Sequence, residues 1–364
     1  MFKKVDKTLL ITILVLLGFG LIIFSSAALG VLAVNEVKFY SIIRNQLIFA
    51  LIGGAVAIFL GVAIPYRLYE KYAYHLFFLS LIATALVFVP GLSIYHGGAH
   101  RWVDLGPISV QPSELLKMGF VLAVALWCST KRHLFGNWKY GLLPFLLAST
   151  LVAGIMLKQP DTGTFVIIMM AGFSVYFVGG ARLRHIGIIF LIAVVGFVIL
   201  ISSRDYMMER VKTFVNGNHD PRGSSWQLNQ SLVAIGSGGL FGRGLGQSVQ
   251  KFNFLPEPIG DSIFAVTAEE LGLVGVIFLI GLYVIVGIRG YIISLRASSQ
   301  FARLLGIGIV TIILTQTAIN IASMIGLFPL TGVPLPLVSH GGTALMVALF
   351  ELGVLLQISK TSTL

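Results

Sequence analysis

Charged and amide side chains set inside long apolar runs are the residues of this sequence best placed to do chemistry. They are Glu114 with Lys117, Glu269 with Glu270, Glu351, and the amides Gln316 and Asn320. A charge at the centre of a bilayer costs about 2.5 to 3.5 kcal/mol on an insertion scale, so each must be paired or must line a polar path. Glu114 and Lys117 are three apart and share a helix face, where they can pair. That pair is either a tether between helices or part of a polar cavity, and the spacing allows both. Neighbours on a helix point about 100° apart, so Glu269 and Glu270 are not expected to face one small site together, and one of them should serve helix packing. Gln316 and Asn320, four apart, read as interhelical hydrogen-bond glue. Asp161 follows Pro160, and Asp261 follows Pro256 and Pro258, each where an apolar run begins. An acidic residue there is expected to cap unpaired amides and meet the positive end of the helix dipole. On spacing alone, nothing singles out Asp261 among fourteen carboxylates.

The elements that must position these groups follow from composition. Of 364 residues, 57% are hydrophobic and 11% charged, and the mean hydropathy is +0.94. A soluble domain carries roughly 25% charged residues, so an ordinary cytosolic enzyme, a nucleic-acid reader and a disordered chain are all excluded. Apolar stretches of about 17 to 25 residues mark spanning helices. Ten are present, at 8–29, 42–64, 73–91, 111–130, 141–157, 161–180, 184–202, 263–288, 301–326 and 338–358. Runs this long without alternation exclude barrel strands. The fold class is therefore all-α and polytopic, one membrane domain over 1–364. The first run exceeds the usual signal-peptide core of about 7 to 15 residues and reads as an uncleaved anchor.

The net charge of +11 reports topology. With the N-terminus inside, fourteen basic residues fall in cytoplasmic segments, while the short outer loops hold four: Lys38, Arg44, Arg101 and Lys158. Basic residues collect on the cytoplasmic side, so both termini are expected there. A long segment, 203–262, then lies outside. It alternates amphipathic pieces, Tyr206 to Val215 and Trp226 to Ile235, with a Gly-rich turn from Gly236 to Gly246. Long loops of this kind are functional or disordered, and packed structure against the outer face is the expectation.

Other chemistries lack their signatures. The single cysteine, Cys128, cannot form an internal disulfide. The Gly-rich turn has neither dinucleotide nor P-loop spacing. Seven histidines are dispersed, with no metal-type pair at helical spacing beyond His96 and His100 in a loop, and chain order alone gives no Ser-His-Asp site.

Four further stretches carry a resemblance. Phe254 to Gly272 reads FLPEPIGDSIFAVTAEELG, preceded by AIGSGGLFGRGLG from Ala234 to Gly246. Asn320 to Ala344 reads NIASMIGLFPLTGVPLPLVSHGGTA, and Gly98 to Lys117 reads GAHRWVDLGPISVQPSELLK. In this order they resemble the SEDS family of FtsW, RodA and SpoVE, over nearly the whole chain. The wording FLPEPIGDSIFA is closer to the division-type FtsW branch than to the elongation-type RodA branch. His340 stands where the family usually has a small residue or tyrosine.

The resemblance implies a peptidoglycan glycosyltransferase of the bacterial plasma membrane. Such an enzyme polymerises lipid II, an undecaprenyl-diphosphate-linked disaccharide pentapeptide, beside a class B penicillin-binding protein. The family's essential aspartate falls on Asp261. An inverting transfer from an α-linked diphosphate needs one base, because the diphosphate leaves unprotonated, unlike the two-carboxylate chemistry of glycosidases. The leaving group needs cations, and the candidates are Lys117, foremost and paired with Glu114, then Arg101, Lys158, Arg243 and Lys251. A divalent ion, Mg²⁺ or Mn²⁺, is a further expectation, with no organic cofactor and no nucleic acid. The Gly-rich turn offers either backbone amides for phosphate or simply tight turns. Small residues in the eighth and ninth runs, Gly272, Gly275, Gly281, Gly287, Gly306 and Gly308, permit close helix approach, to the partner's membrane helix or within the bundle. The rival readings are a lipid II flippase and a non-catalytic scaffold. The charge asymmetry makes one prediction directly: with Cys128 replaced, a cysteine introduced at Asn218 should be labelled by impermeant reagent from outside the cell, and one at Ser298 should not. The reverse pattern would overturn the topology.

Overall fold

A computed structural model of the chain describes residues 5–96, 99–104, 106, 109–135, 137–203, 205–215, 224–252 and 254–361. The labelling position Asn218 lies outside the described residues. The chain runs α1 (Lys7–Leu32), α2 (Glu36–Leu47), α3 (Gly54–Ala63), α4 (Tyr66–Ala85), then three short strands, β1 (Ser93–His96), β2 (Ala99–Asp104) and β3 (Ser109–Val110). It continues with α5 (Pro112–Lys131), α6 (Trp138–Gly141), α7 (Leu143–Met156), α8 (Thr162–Val178), α9 (Leu183–Ser203), α10 (Asp205–Val215) and α11 (Ser224–Ser237), and closes with α12 (Ile263–Leu295), α13 (Gln300–Met324) and α14 (Gly342–Ser359). Among the described residues, nine helical stretches are long and apolar enough to cross a membrane, α2 and α3 forming one of them through a π-helical turn at Ile48–Gly53. The 17-residue α8 is the tenth apolar helix. These match the ten sequence runs. The small antiparallel sheet β1-β2-β3 was not expected, because strands of two to six residues leave too little alternation to read.

Helix starts follow local chemistry. Asp6 caps α1 by accepting from the Leu9 amide at 2.8 Å, and it also pairs with Arg289 of α12. Asp161 caps α8 as expected, through the Thr164 amide. The bundle places α5, α13 and α14 inside, whereas α9 buries only His185 and leaves its apolar surface for lipid. Helices α3 and α14 approach so closely that a Cβ on Gly61 would lie 2.9 Å from the Gly353 backbone. Of the glycines singled out in the eighth and ninth runs, Gly287, Gly306 and Gly308 face side chains of neighbouring helices, and Gly281 faces open space.

The charges inside the bundle are organised around α5. The Lys117 ammonium lies 2.8 Å from Glu114 and donates to the Gln316 side-chain oxygen of α13 at 2.7 Å. Gln316 in turn donates to the Pro334 carbonyl at 3.0 Å. Glu351 of α14 is buried within electrostatic reach of both Lys117 and Glu114. The sequence-level pairing of Glu114 with Lys117 is thus observed, and Gln316 acts as the expected glue.

The described parts of segment 203–262 are packed, its two amphipathic pieces forming α10 and α11. Its Gly-rich turn repairs a break in α12. Gly272 adopts φ 63° and ψ −163°, a conformation accessible essentially only to glycine. This interrupts the helical ladder, and the turn supplies substitutes: the Arg243 and Gly244 amides donate to the Glu269 and Glu270 carbonyls, while Gly239 and Leu240 carbonyls accept from Leu273 and Val274. Within a membrane bundle a broken helix must have its freed backbone groups satisfied in this way. These amides of the turn are therefore spent on α12, and are not available to a phosphate.

Two measurements test these supports. A Cβ on Gly272 would lie 2.3 Å from the Gly242 nitrogen, so Gly272→Ala should destabilise by about 1 to 3 kcal/mol from backbone strain alone. Thermal unfolding in detergent should show this against Gly281→Ala on the same helix as a near-neutral control. Separately, Glu114→Gln and Lys117→Met should each cost about 3 to 5 kcal/mol, as for a typical broken buried pair, and the double substitution less than their sum. Purely additive small effects in that cycle would show that the pair is not coupled.

Candidate active site

Asp261 stands in the turn before α12, held by elements far apart in sequence. The turn 257–261 is fixed from one side by the segment before α14: the Ser339 hydroxyl donates to the Gly260 carbonyl and the His340 amide to the Ile259 carbonyl, both at 2.7 Å. From another side Asn320 of α13 donates at 2.8 Å both to the Asp261 carbonyl and to that of Val333. One buried amide thus joins the two loops that meet at the site. His340 itself stacks on Phe24 and shares a hydrogen bond with Gln46, so its role here is to pack and pin.

The Asp261 carboxylate does not cap α12. The capping position is Ser262, with no side-chain bond to the first turn. Instead, both Asp261 oxygens accept from the side-chain nitrogen of Gln227 on α11, each at 3.2 Å. This corrects the sequence-level expectation, and the reason is that α11 folds over the helix start. Asp261 remains half-buried. Burial and the neighbouring Glu257 push its pKa up, the Gln227 hydrogen bond and Arg210 of α10 oppose them, and the net position is about 6. A partly exposed carboxylate of that basicity can take a proton near neutral pH.

The other candidates are distributed as follows. Arg101 on β2 donates to the Pro160 carbonyl at 2.5 Å, beside the start of α8. Lys158 is exposed, with its ammonium 5.0 Å from the Phe88 ring centre. Glu114 and Lys117 reach the site only indirectly, through Gln316 and the Pro334 segment. Lys251 is fully buried, its ammonium 2.6 Å from Glu270 and bonded also to Ser26 and the Gly246 carbonyl. Arg243 lies 3.7 Å from Glu269, with 41% of its side chain exposed. The last two therefore form a separate cluster that ties α1 and the Gly-rich segment to α12.

That cluster corrects another expectation. Glu269 accepts from the Ser248 hydroxyl and the Val249 and Gln250 amides, while Glu270 accepts from Ser26, Lys251 and the Ser248 amide. Both carboxylates serve the one segment Ser248–Lys251, because it wraps around the helix and meets both directions. An open groove of about 460 Å³ lined by Leu21, Ser26, Leu245 and Gly246 borders this cluster and includes none of the residues around Asp261.

Sequence reasoning missed Gln227 and Arg210. Both lie on amphipathic pieces that were recognised as helices, but a polar residue on such a helix carries no sign of which loop it will meet. Among the described residues, no group of three His, Cys, Asp or Glu side chains converges to hold a metal ion, and both Asp261 oxygens face an amide donor. The described side chains do not by themselves build a divalent-ion site.

With the geometry in place, comparison with known proteins is informative. The family described as "Cell cycle protein", grouping FtsW, RodA and SpoVE, matches residues 7–364. The chain is 36% identical over 354 residues to a probable peptidoglycan glycosyltransferase FtsW of Trichlorobacter lovleyi, covering 97% of this chain and 93% of that protein. It is 36% identical over 363 residues to stage V sporulation protein E of Bacillus subtilis, covering 99% of each. Among solved structures, a chain from a study of a peptidoglycan synthase complex that coordinates polymerization and crosslinking superposes with a TM-score of 0.80 at 29% identity, over 98% of both chains. The rod shape determining protein RodA of Thermus thermophilus gives 0.71 at 28% identity, over 98% of this chain and 97% of that one. These matches, carried by a bundle of about ten apolar helices, make the chain a multi-pass bacterial membrane protein that belongs to the FtsW, RodA and SpoVE family.

Proposed function

We propose that this chain polymerises lipid II into peptidoglycan glycan strands at the outer face of the plasma membrane, with Asp261 as general base. The observation that carries the reading is a carboxylate tuned to about 6, partly exposed at the tip of α12 and fixed by three other elements. The names of the relatives and the close structural similarity to a member of a peptidoglycan synthase complex support the same reaction class.

In the step, the C4 hydroxyl oxygen of the acceptor sugar attacks C1 of the donor. The C1 bond to the diphosphate breaks, with its electron pair leaving on the diphosphate, and C1 inverts. The hydroxyl proton passes to Asp261. Proximity and orientation supply much of the barrier reduction, so a base held at both backbone and side chain suits the task. Cations for the leaving group come from Arg210, which acts electrostatically on Asp261, and from Arg101 and the exposed Lys158, whereas Arg243 stays with Glu269 in the separate cluster. Lys117 and Lys251 act from within their ion pairs, holding the helices that carry the site.

The topology that goes with this function has both termini in the cytoplasm and segment 203–262 outside, on the strength of the basic-residue asymmetry. A class B penicillin-binding protein is the proposed partner, consistent with the complex in which the similar structure was studied. Gly281 of α12, where an added Cβ would meet open space, marks a place where a partner helix can approach closely. The flippase and scaffold readings have no specific observation in their favour, and both leave Asp261 without a task.

The deciding experiment is strand synthesis from lipid II by the purified full-length chain with its cognate partner. Asp261→Asn should abolish polymerisation through kcat while partner binding and thermal stability persist. The wild-type rate should fall as pH drops through about 6, because protonation removes the base. Full activity in Asp261→Asn would overturn the assignment.

A further inference from the structure

We propose that Gln227 is a positioning residue for this reaction, setting both the direction and the base strength of the Asp261 carboxylate. The inference rests on the reading of Asp261 as general base and extends it to a residue on a different helix. Its ground is geometric. An aspartate at a helix start ordinarily finds its donors among the first-turn amides, and Asp261 does not. The side-chain donor to its carboxylate is the Gln227 amide, whose nitrogen lies 3.2 Å from each carboxylate oxygen and 3.1 Å from the Ser262 hydroxyl. Two hydrogens are thereby shared among three acceptors, so the amide straddles the carboxylate from α11 while Asn320 fixes the same residue's backbone from α13.

The chemical identity of the donor matters. A hydrogen bond to the charged form favours that form. Gln227 therefore counters the desolvation and the Glu257 repulsion that weaken the anion. Because the amide is neutral, it does so without the large depression that a cation in contact would impose, which would leave too weak a base. The groups facing Asp261 among the described residues are Glu257 from its own turn, Arg210 from α10, Gln227 from α11 and Asn320 from α13. The segment before α14 presents Gly332, and the His340 ring is engaged by Phe24 and Gln46. Gln227 is thus the neutral donor in this set that touches the carboxylate itself. When Asp261 accepts the proton the amide faces a carboxylic acid, and the weakened hydrogen bond favours returning the proton to solvent after transfer.

The test is the pH dependence of kcat and KM for strand synthesis from lipid II by the full-length chain with its partner, comparing wild type, Gln227→Met and Asp261→Asn. Methionine keeps the length of glutamine and removes both donors. The expected result is an acid limb moved upward by about one pH unit, a rate near pH 6 reduced by up to about tenfold, recovery to within about twofold of wild type well above the new limb, and little change in KM. An unmoved limb, or equal loss at every pH in a folded protein, would overturn the proposal. If Gln227→Met does not fold, Gln227→Asn carries the same test, because it retains the amide but withdraws it by one methylene. An unmoved limb there also overturns the proposal. Asp261→Asn separates the two levels: its full activity would remove the base assignment and this inference together, whereas an inactive Asp261→Asn beside an unmoved Gln227→Met limb removes only the role of Gln227.

Discussion

An ammonium buried among apolar helices must find all its acceptors within the protein, and Lys117 shows how far that requirement reaches. Its two acceptors, Glu114 on its own helix and Gln316 on α13, fix how α5 and α13 pack. Because its oxygen is committed to Lys117, the Gln316 amide is oriented with its nitrogen toward Pro334. One turn further along α13, Asn320 takes Val333 and the Asp261 carbonyl. The penalty for an unpaired charge in a low-dielectric interior is thereby converted into a defined placement of the loop that carries Asp261. Lys117, a candidate for the diphosphate on sequence, is in the structure paired with Glu114 and Gln316.

A second constraint of the same kind governs the other side of α12. Breaking a helix at Gly272 frees backbone groups that lipid cannot satisfy. The Gly-rich turn meets that need, and Glu269 and Glu270 clamp the following segment on both faces. Lys251, buried at 0% exposure, closes the arrangement against Ser26 of α1. The segment leading to Asp261 is thus anchored before it reaches the site, and α11 is presented to the start of α12. The two networks differ in composition but share a logic: polar groups that cannot reach water specify one geometry because any other leaves them unpaired.

The pKa of Asp261 reflects opposing influences: burial and Glu257 push it up, while the Gln227 hydrogen bond, a backbone hydrogen bond and Arg210 pull it down. Apart from Glu257 of the same turn, these side chains come from other helices, Gln227 from α11 and Arg210 from α10. The turn that carries Asp261 is half-buried because α10, α11, α13 and the segment before α14 meet around it. The lipid-facing periphery, exemplified by α9, contributes nothing to this balance.

The sequence by itself determined the ten apolar runs, the helix cap at Asp161, the amphipathic nature of α10 and α11, and the pairing of Glu114 with Lys117. All of these depend on residues within one or a few helical turns of each other. Hydropathy sums over consecutive positions, so spans are legible even when their ends shift by several residues. The tertiary structure decided that Lys251 belongs to Glu270, that the Gly-rich turn completes α12, that both Glu269 and Glu270 grip one segment, and that Asp261 answers to Gln227. Contacts such as Lys251 with Glu270 and Asp261 with Gln227 join residues 19 and 34 positions apart, and the partner each polar group finds depends on which helices pack side by side. Hydrophobic burial, which drives that packing, is non-directional: it leaves a clear pattern along the chain but does not record in that pattern which polar groups it will bring together.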